Sequence, residues 1–161
     1  MRKNILIFLL VSCFTAKAQS KELKLNTYTF PEIEQLQRQK PKPIVVFIYT
    51  NWCKICFGMK KTTFNNKEII NLLNNHFYFV KLDGEDKNDI KLLNKEFSYK
   101  PTGSKTGIHE LAKELAYIDE KVSFPTTTFL NSNFEIEAQL DSYIASKKMK
   151  LILEKIRNHK N

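Results

Sequence analysis

Two cysteines three residues apart are the side chains of this 161-residue chain best suited to chemistry. Cys53 and Cys56 follow directly on the apolar stretch Ile44–Tyr49, which is typical of a strand buried on both faces. A strand that leads into a helix places the first cysteine at the helix N-terminus, where backbone N–H groups stabilise a thiolate over a thiol. The second cysteine can then close a short disulfide. The pattern indicates thiol–disulfide exchange.

The third cysteine, Cys13, lies in an N-terminal segment typical of a secretory signal. A basic start is followed by an apolar core over residues 5–11 and by the small-x-small site Ala16-Lys17-Ala18, which predicts a signal peptide over residues 1–18. The apolar core is shorter than the ~20 residues of a membrane-spanning helix. We therefore expect an exported protein, periplasmic or secreted. A lipid anchor at Cys13 is the alternative, because the residues before it are similar to a bacterial lipobox.

Export makes a structural disulfide the competing interpretation of the cysteine pair, because disulfides persist in oxidising compartments. Structural bridges stabilise most when they close long loops. A bridge between Cys53 and Cys56 closes almost none. The pair is therefore better explained by reactivity than by stability.

Length and charge restrict the remaining possibilities. Residues 19–161 are enough for one domain with a real core and too few for two. The formal net charge is +9, but the lysines are scattered, with no run longer than two. Scattered lysines indicate a solvated basic surface, so we expect no nucleic acid partner. We expect a monomer without a cofactor.

The elements that must position the cysteines alternate between helical and strand patterns, without repeats. The predicted elements are a helix from Phe30 that stops before Pro41, a strand over 44–49, helices from Cys53 and from Asn66, a strand over 76–82, a helix over 86–97, a loop over 98–107, a helix over 108–118, a hairpin of strands over 126–130 and 134–140, and a helix over 142–157. The strands are too far apart in sequence for a simple meander. The order indicates an α/β domain.

Two motifs carry a resemblance to a known family. The pattern W-C-x-x-C-x-x-M-…-F is carried by Trp52, Cys53, Cys56, Met59 and Phe64. The segment Ser123-Phe124-Pro125-Thr126 precedes the predicted hairpin. With both motifs, the chain resembles the thioredoxin-like family, and specifically its secreted bacterial thiol–disulfide oxidoreductases, over about residues 31–158.

The resemblance implies a thioredoxin-like fold, with a central mixed sheet flanked by helices. The segment 98–121 is longer than the family's connection and would form a helical insertion before the proline. In the family that proline is cis and faces the cysteines, which implies a cis Phe124–Pro125 bond. Phe124, Pro125 and Thr126, with Trp52, would then form a substrate-binding surface that pairs with an extended segment.

Each position of the motif has an expected role. Cys53, at the helix N-terminus, would be the nucleophile, and Cys56, one turn further in, the resolving thiol. Lys54 would lower the pKa of Cys53 if it lies beside the thiolate, or else points into solvent. Trp52 either covers one side of the site or faces the core.

The sequence also departs from the family. Phe47 stands five residues before the tryptophan, where many members carry a buried acid that moves the proton of the resolving thiol. His109 opens the predicted helix over 108–118, where a helix-start or surface position is favoured over a catalytic one.

These features predict an exported thiol–disulfide oxidoreductase that reduces or isomerises disulfides of exported proteins. Its partners would be those proteins and a membrane thiol electron donor, as for the periplasmic terminal domain of membrane thiol-reductant relays. The alternative is a Cu(I)-binding metallochaperone, because two thiolates can hold Cu(I). That role usually needs a third ligand, and none of His76, His109 and His159 lies near the motif in sequence, so no metal ligand is assigned.

Overall fold

The computed structural model describes residues 23–158. Within that range it has five helices, α1 (Phe30–Gln39), α2 (Lys54–Thr62), α3 (Lys67–His76), α4 (Glu110–Leu115) and α5 (Ser146–Asn158). Its strands are β1 (Ile44–Tyr49), β2 (Tyr78–Asp83), β3 (Ile90–Leu92), β4 (Lys95–Phe97), β5 (Tyr99–Pro101), β6 (Gly107–His109), β7 (Tyr117–Ile118), β8 (Lys121–Val122), β9 (Thr126–Leu130) and β10 (Ile136–Asp141). The predicted signal peptide and Cys13 lie outside the described residues.

A four-stranded mixed sheet in the order β10-β9-β1-β2 forms the centre of the fold. Strand β1 pairs parallel with β2 and antiparallel with β9, and β9 pairs antiparallel with β10. The central strands β1 and β9 are buried almost throughout, as their continuous apolar and β-branched sequences require. The predicted mixed sheet flanked by helices is confirmed.

Helices cover both faces of this sheet with apolar side chains. On one face, α1 and α4 pack against the strands through Phe30, Ile33, Leu111 and Leu115. On the other, α2, α3 and α5 pack through Met59, Ile69, Leu73, Met149 and Leu153. The cysteines belong to this second layer. No helix within residues 23–158 is long and apolar enough to cross a membrane.

The predicted helix over 86–97 is wrong, because the segment forms a hairpin of β3 and β4. Its two-residue turn places Leu93 and Asn94 at positive φ, 51° and 63°, which matches the twist of a tight hairpin. Leu93 is 56% exposed, and its N–H donates to the Glu34 carboxylate of α1 across 2.6 Å. A contact with a distant helix therefore outweighs the local helical spacing of Ile90, Leu93 and Phe97.

The segment 98–121 is only partly the helical insertion that the sequence predicts. Strands β5 and β6 pair within the predicted loop, and β7 pairs with β8 at the end of the segment. Helix α4 spans only Glu110–Leu115, because Ile108 belongs to β6 and Ile118 to β7. The Glu110 carboxylate accepts a hydrogen bond from the Ser98 N–H across 2.8 Å, which ties the start of the helix to the junction between β4 and β5.

Other boundaries shift by a few residues. Helix α3 continues to His76, and the last helix begins at Ser146 rather than at 142. The second strand of the hairpin begins at Ile136 rather than at Phe134, since Phe134 takes a positive φ of 65° in the turn.

Candidate active site

The two cysteines form a disulfide at the start of α2. The sulfurs of Cys53 and Cys56 are 2.08 Å apart and the Cα atoms 5.2 Å apart. Cys53 is the N-cap residue of the helix, and its Sγ accepts a hydrogen bond from the Cys56 N–H across 3.1 Å. Cys53 is 7% exposed and Cys56 fully buried. Of the two sulfurs, that of Cys53 is the one within reach of a reactant from solvent.

The electrostatics of α2 favour a thiolate on Cys53. The first turn of the helix contains no acidic residue, so its positive N-terminal end is not neutralised from within the helix. Lys54 is the first helical residue and is exposed to solvent. Backbone N–H groups at a helix start lower the pKa of a thiol placed there.

Trp52 lies on the surface beside the disulfide and does not face the core. Its side chain is 65% exposed. The indole ring meets the ring of Phe124 edge to face, with centroids 6.1 Å apart, and its Nε1–H donates to the Glu85 carboxylate across 3.1 Å. Trp52 therefore covers one side of the site, held between an aromatic and an acidic residue.

The loop after β2 supports this arrangement, and sequence reasoning missed it. The Asp83 carboxylate accepts hydrogen bonds from the Asn51 side chain across 2.8 Å and from the Glu85 N–H across 3.0 Å. Gly84 lies under Phe124, where a Cβ would come within 2.6 Å of the ring. Because parallel β1 and β2 end at the same sheet edge, Tyr49 stands opposite Asp83. No local sequence pattern indicates this pairing, which depends on the parallel register of β1 and β2.

The Phe124–Pro125 peptide bond is cis. Phe124 packs against the apolar layer that contains both cysteines, and Pro125 is buried, with its carbonyl accepting a hydrogen bond from the Ser142 N–H across 2.9 Å. Thr126 is fully buried and its hydroxyl donates to the Ser123 carbonyl across 2.8 Å. The side chain of Thr126 therefore faces into the protein and cannot make the predicted contact with a substrate.

Large apolar side chains surround the disulfide at the surface. Ile55, between the cysteines, is 57% exposed, and Phe57, on the first turn of α2, is 58% exposed. Tyr143, which is also exposed, holds its hydroxyl 2.8 Å from that of Thr62. Tyr143 therefore lies at the C-terminal end of α2, away from the disulfide, whereas Ile55, Phe57 and Trp52 give the start of the helix an exposed apolar surface of the kind that binds other proteins.

Three aromatic side chains, Phe47, Phe64 and Tyr49, pack in the apolar layer that contains both cysteines, and we call them the aromatic floor. Phe47 is fully buried and meets Phe64 edge to face, with centroids 4.7 Å apart, and stacks on Tyr49 at 5.8 Å. No carboxylate is buried anywhere in residues 23–158. Position 47 therefore provides no acid that could transfer a proton to or from Cys56.

Lys60 makes a cation–π contact with Tyr49, with its Nζ 3.1 Å from the centroid of the ring. Burial and the nearby charge of Lys81 lower the pKa of Lys60. Burial and then the charge of Asp83 raise the pKa of the Tyr49 hydroxyl.

The two histidines within residues 23–158 do not belong to a metal centre. His109 is buried as the N-cap of α4, and its Nδ1 accepts a hydrogen bond from the Leu111 N–H across 3.2 Å, which confirms the helix-start interpretation. His76 is exposed at the end of α3, and His159 lies outside the described residues. Between residues 23 and 158, no three His, Cys, Asp or Glu side chains are grouped closely enough to hold a metal ion.

The sequence model of the family Thioredox_DsbH, described as "Protein of unknown function, DUF255", matches residues 11–156. The chain belongs to this family. No curated protein matches it.

Solved structures agree with the fold. The chain superposes on a structure described as "DsbH Oxidoreductase" with a TM-score of 0.56 and 18% identity, covering 87% of this chain and 89% of that one. A thioredoxin from Thermus thermophilus gives 0.58 and 18%, with 83% and 87% covered. The DsbD c-terminal domain of Neisseria meningitidis gives 0.50 and 18%, with 76% and 88% covered. The thioredoxin-like fold is thereby confirmed, and the protein is a thioredoxin-fold member of its family with a C-x-x-C disulfide.

Proposed function

We propose that the protein is an exported thiol–disulfide oxidoreductase that reduces or isomerises disulfides in exported proteins. The observation that carries the proposal is the disulfide itself. Its accessible sulfur, on Cys53, caps a helix N-terminus, and its partner, on Cys56, is fully buried. A low-pKa accessible thiolate beside a resolving thiol is the arrangement that exchange chemistry requires.

The reaction begins from the reduced protein. The Cys53 thiolate attacks one sulfur of a substrate disulfide, and the other substrate sulfur leaves as a thiolate. Cys56 then attacks Cys53 in the mixed disulfide, the substrate is released with both sulfurs reduced, and the Cys53–Cys56 disulfide remains. A thiol donor must reduce that disulfide before the next cycle.

The surface around Cys53 supports binding of an extended protein segment. Trp52 and Phe124 provide aromatic area next to the sulfur, and Ile55 and Phe57 extend it along α2. The cis peptide before Pro125 is the element that, in the thioredoxin-like family, pairs with the substrate backbone. The substrate would therefore be held through its backbone and through apolar side chains beside its cysteine.

The direction proposed is reduction or isomerisation, with electrons from a membrane thiol donor. The support is the similarity in fold to DsbD- and DsbH-type structures, which is an argument by analogy. Lys54 acts in the opposite sense if it lies beside the thiolate, because stabilising the thiolate favours the reduced protein. We therefore expect a potential between about −270 and about −180 mV.

Export and oligomeric state complete the proposal. The signal peptide predicted over residues 1–18 would be cleaved and would leave residues 19–161 as a single monomeric domain, with a lipid anchor at Cys13 as the alternative. Nucleic acid is not a partner in this proposal, since the basic residues form no continuous stripe.

The deciding experiment is equilibration of the purified protein with glutathione at defined ratios of its reduced and oxidised forms. We expect one cooperative two-electron transition, followed through Trp52, the single tryptophan of the chain. We also expect catalysed reduction of a protein disulfide. A potential near about −120 mV would make the protein an oxidant instead. Stoichiometric Cu(I) that is lost on alkylation of the cysteines would favour the metallochaperone.

A further inference from the structure

Strand β9 opens with three consecutive threonines that are all fully buried. Two of their hydroxyls are bonded. That of Thr126 donates to the Ser123 carbonyl across 2.8 Å, and that of Thr128 donates to the Leu115 carbonyl. The hydroxyl of Thr127 has no protein partner among the described residues. A buried hydroxyl without a partner is costly, so its retention needs a reason.

The position of Thr127 suggests why this hydroxyl is retained. In the antiparallel pair of β1 and β9, Thr127 stands directly opposite Phe47, so the two side chains project from the same face of the sheet. Phe47 belongs to the apolar layer that contains Cys53 and Cys56. Thr127 therefore lies beside Phe47, on the face of the sheet that is covered by the layer containing the disulfide.

Residues 23–158 contain two other buried hydroxyls without a protein partner, and neither is placed for this role. Thr50 lies beyond the end of β1, and its methyl group lies towards Gly84 in the loop after β2. The hydroxyl of Ser123 lies before the cis peptide bond, outside the strand pair.

Opening of the disulfide creates the partner that Thr127 lacks. When the thiolate of a donor dithiol attacks Sγ of Cys53, the bond between the two protein sulfurs breaks and Cys56 leaves as a thiolate. The second donor thiol then attacks the donor sulfur bound to Cys53, so the donor ends as a disulfide and its two protons and two electrons pass to the protein. Cys56 is fully buried in an apolar layer, and a charge formed there needs a hydrogen-bond donor.

We propose that Thr127 is a positioning residue of the redox site, whose hydroxyl donates a hydrogen bond to Sγ of Cys56 once the disulfide is opened. This rests on the proposed exchange function of the cysteines. The hydroxyl would have no hydrogen-bond partner in the oxidised protein and would donate to Sγ of Cys56 in the mixed-disulfide and reduced states. It would stabilise the leaving thiolate without supplying a proton, since a hydroxyl is far too weak an acid for that.

The test compares Thr127→Val, which keeps the shape and removes the hydroxyl, with Thr127→Ser, which keeps the hydroxyl. The matched control is Thr128→Val, which removes a bonded hydroxyl from the opposite face of the same strand. Each protein is equilibrated with glutathione and is also unfolded by urea in its oxidised form and in its form reduced by excess dithiothreitol.

For Thr127→Val we expect an equilibrium constant for reduction about tenfold lower than that of the unmodified protein, a potential about 30 mV more negative. Its oxidised form should be at least as stable as before and its reduced form less stable. Thr127→Ser should keep the original potential. Thr128→Val should lose stability equally in both forms, with its potential unchanged.

The inference is overturned if Thr127→Val keeps the original potential, or if Thr127→Ser shifts it as far as valine does. Should the valine protein fail to fold, Thr127→Ala is judged by the same two measurements against Thr127→Ser. A wild-type protein that shows no glutathione-coupled transition would defeat the proposed function instead. The stability comparison between the oxidised and dithiothreitol-reduced forms would then still decide the role of Thr127.

Discussion

The backbone N–H of Cys56 donates a hydrogen bond to Sγ of Cys53 across 3.1 Å. Sulfur thereby occupies the place that a serine, threonine or aspartate oxygen takes at most helix starts. The same N–H remains available to a thiolate after reduction. The helix start is thus arranged to hold negative charge on the more accessible of the two sulfurs.

The first prediction concerns which cysteine is the nucleophile and which is the resolving thiol. Cys53→Ser should abolish reduction of a model disulfide, whereas Cys56→Ser should still attack it and accumulate the mixed disulfide, because the resolving step is lost. The mixed species is measured by non-reducing electrophoresis and mass spectrometry. Faster alkylation of Cys56 than of Cys53 by iodoacetamide in the reduced protein would reverse the assignment.

Gly84 provides the second prediction. Gly84→Ala puts a Cβ 2.6 Å from the tip of the Phe124 ring, so the ring must move and its contact with Trp52 weakens. We expect a KM for a protein disulfide raised by about tenfold or less, the value of one aromatic pair, with an unchanged potential. Gly58→Ala is the control, since its Cβ meets open space in α2, and it should stabilise the protein by about 0.5–1 kcal/mol. Equal KM values for the two variants would contradict the prediction.

The third prediction tests the aromatic floor. Phe47→Ala should lower the free energy of unfolding by about 3–5 kcal/mol, because a fully buried ring and its contacts with Phe64 and Tyr49 are lost. Phe47→Leu should cost clearly less. Phe47→Asp, which places an acid at this position, should destabilise at least as much as alanine at pH 7, since a charged carboxylate would be buried. Urea unfolding measures all three, and an aspartate variant as stable as the unmodified protein would contradict the prediction.

A fourth prediction concerns Glu110 and pH. The hydrogen bond from the Ser98 N–H, and to a lesser extent the charge of Lys100, lower the pKa of Glu110. A carboxyl whose pKa is lower in the folded state adds stability above its unfolded pKa and loses it as pH falls through the folded value. Glu110→Gln should therefore be less stable than the unmodified protein at pH 7, and the difference should shrink towards pH 3. Urea titrations at both pH values measure it, and a difference independent of pH would exclude the ionic contribution.

The central sheet and the cysteine site could be predicted because local sequence determines them. Residues 44–49 and 126–130 are continuous apolar or β-branched runs that suit only buried strands, and the cysteines follow the first of them directly. The helices that flank the sheet start at clear caps. Thr29 and Glu32, for example, form a reciprocal capping box at the start of α1.

The segment 86–121 could not be predicted, because contacts between distant residues determine it. Leu93 matched a helical spacing but occupies a hairpin turn, held by Glu34 from α1. The hydrogen bond from Trp52 to Glu85 could not be predicted from the sequence either, since it depends on the parallel pairing of β1 with β2. Neither relationship has a signature within a short window of sequence.

The order of the sheet has a consequence for the protein during its synthesis. Cys53, Cys56 and the strand pair β1–β2 precede Gly84 in the chain. Thr127 belongs to β9, which joins β1 from the other side, and Phe124 lies just before β9. A chain emerging from the ribosome therefore presents these two sulfurs before the half of the site that surrounds them is available. The folded arrangement of the two cysteines is complete only when β9 adds to β1.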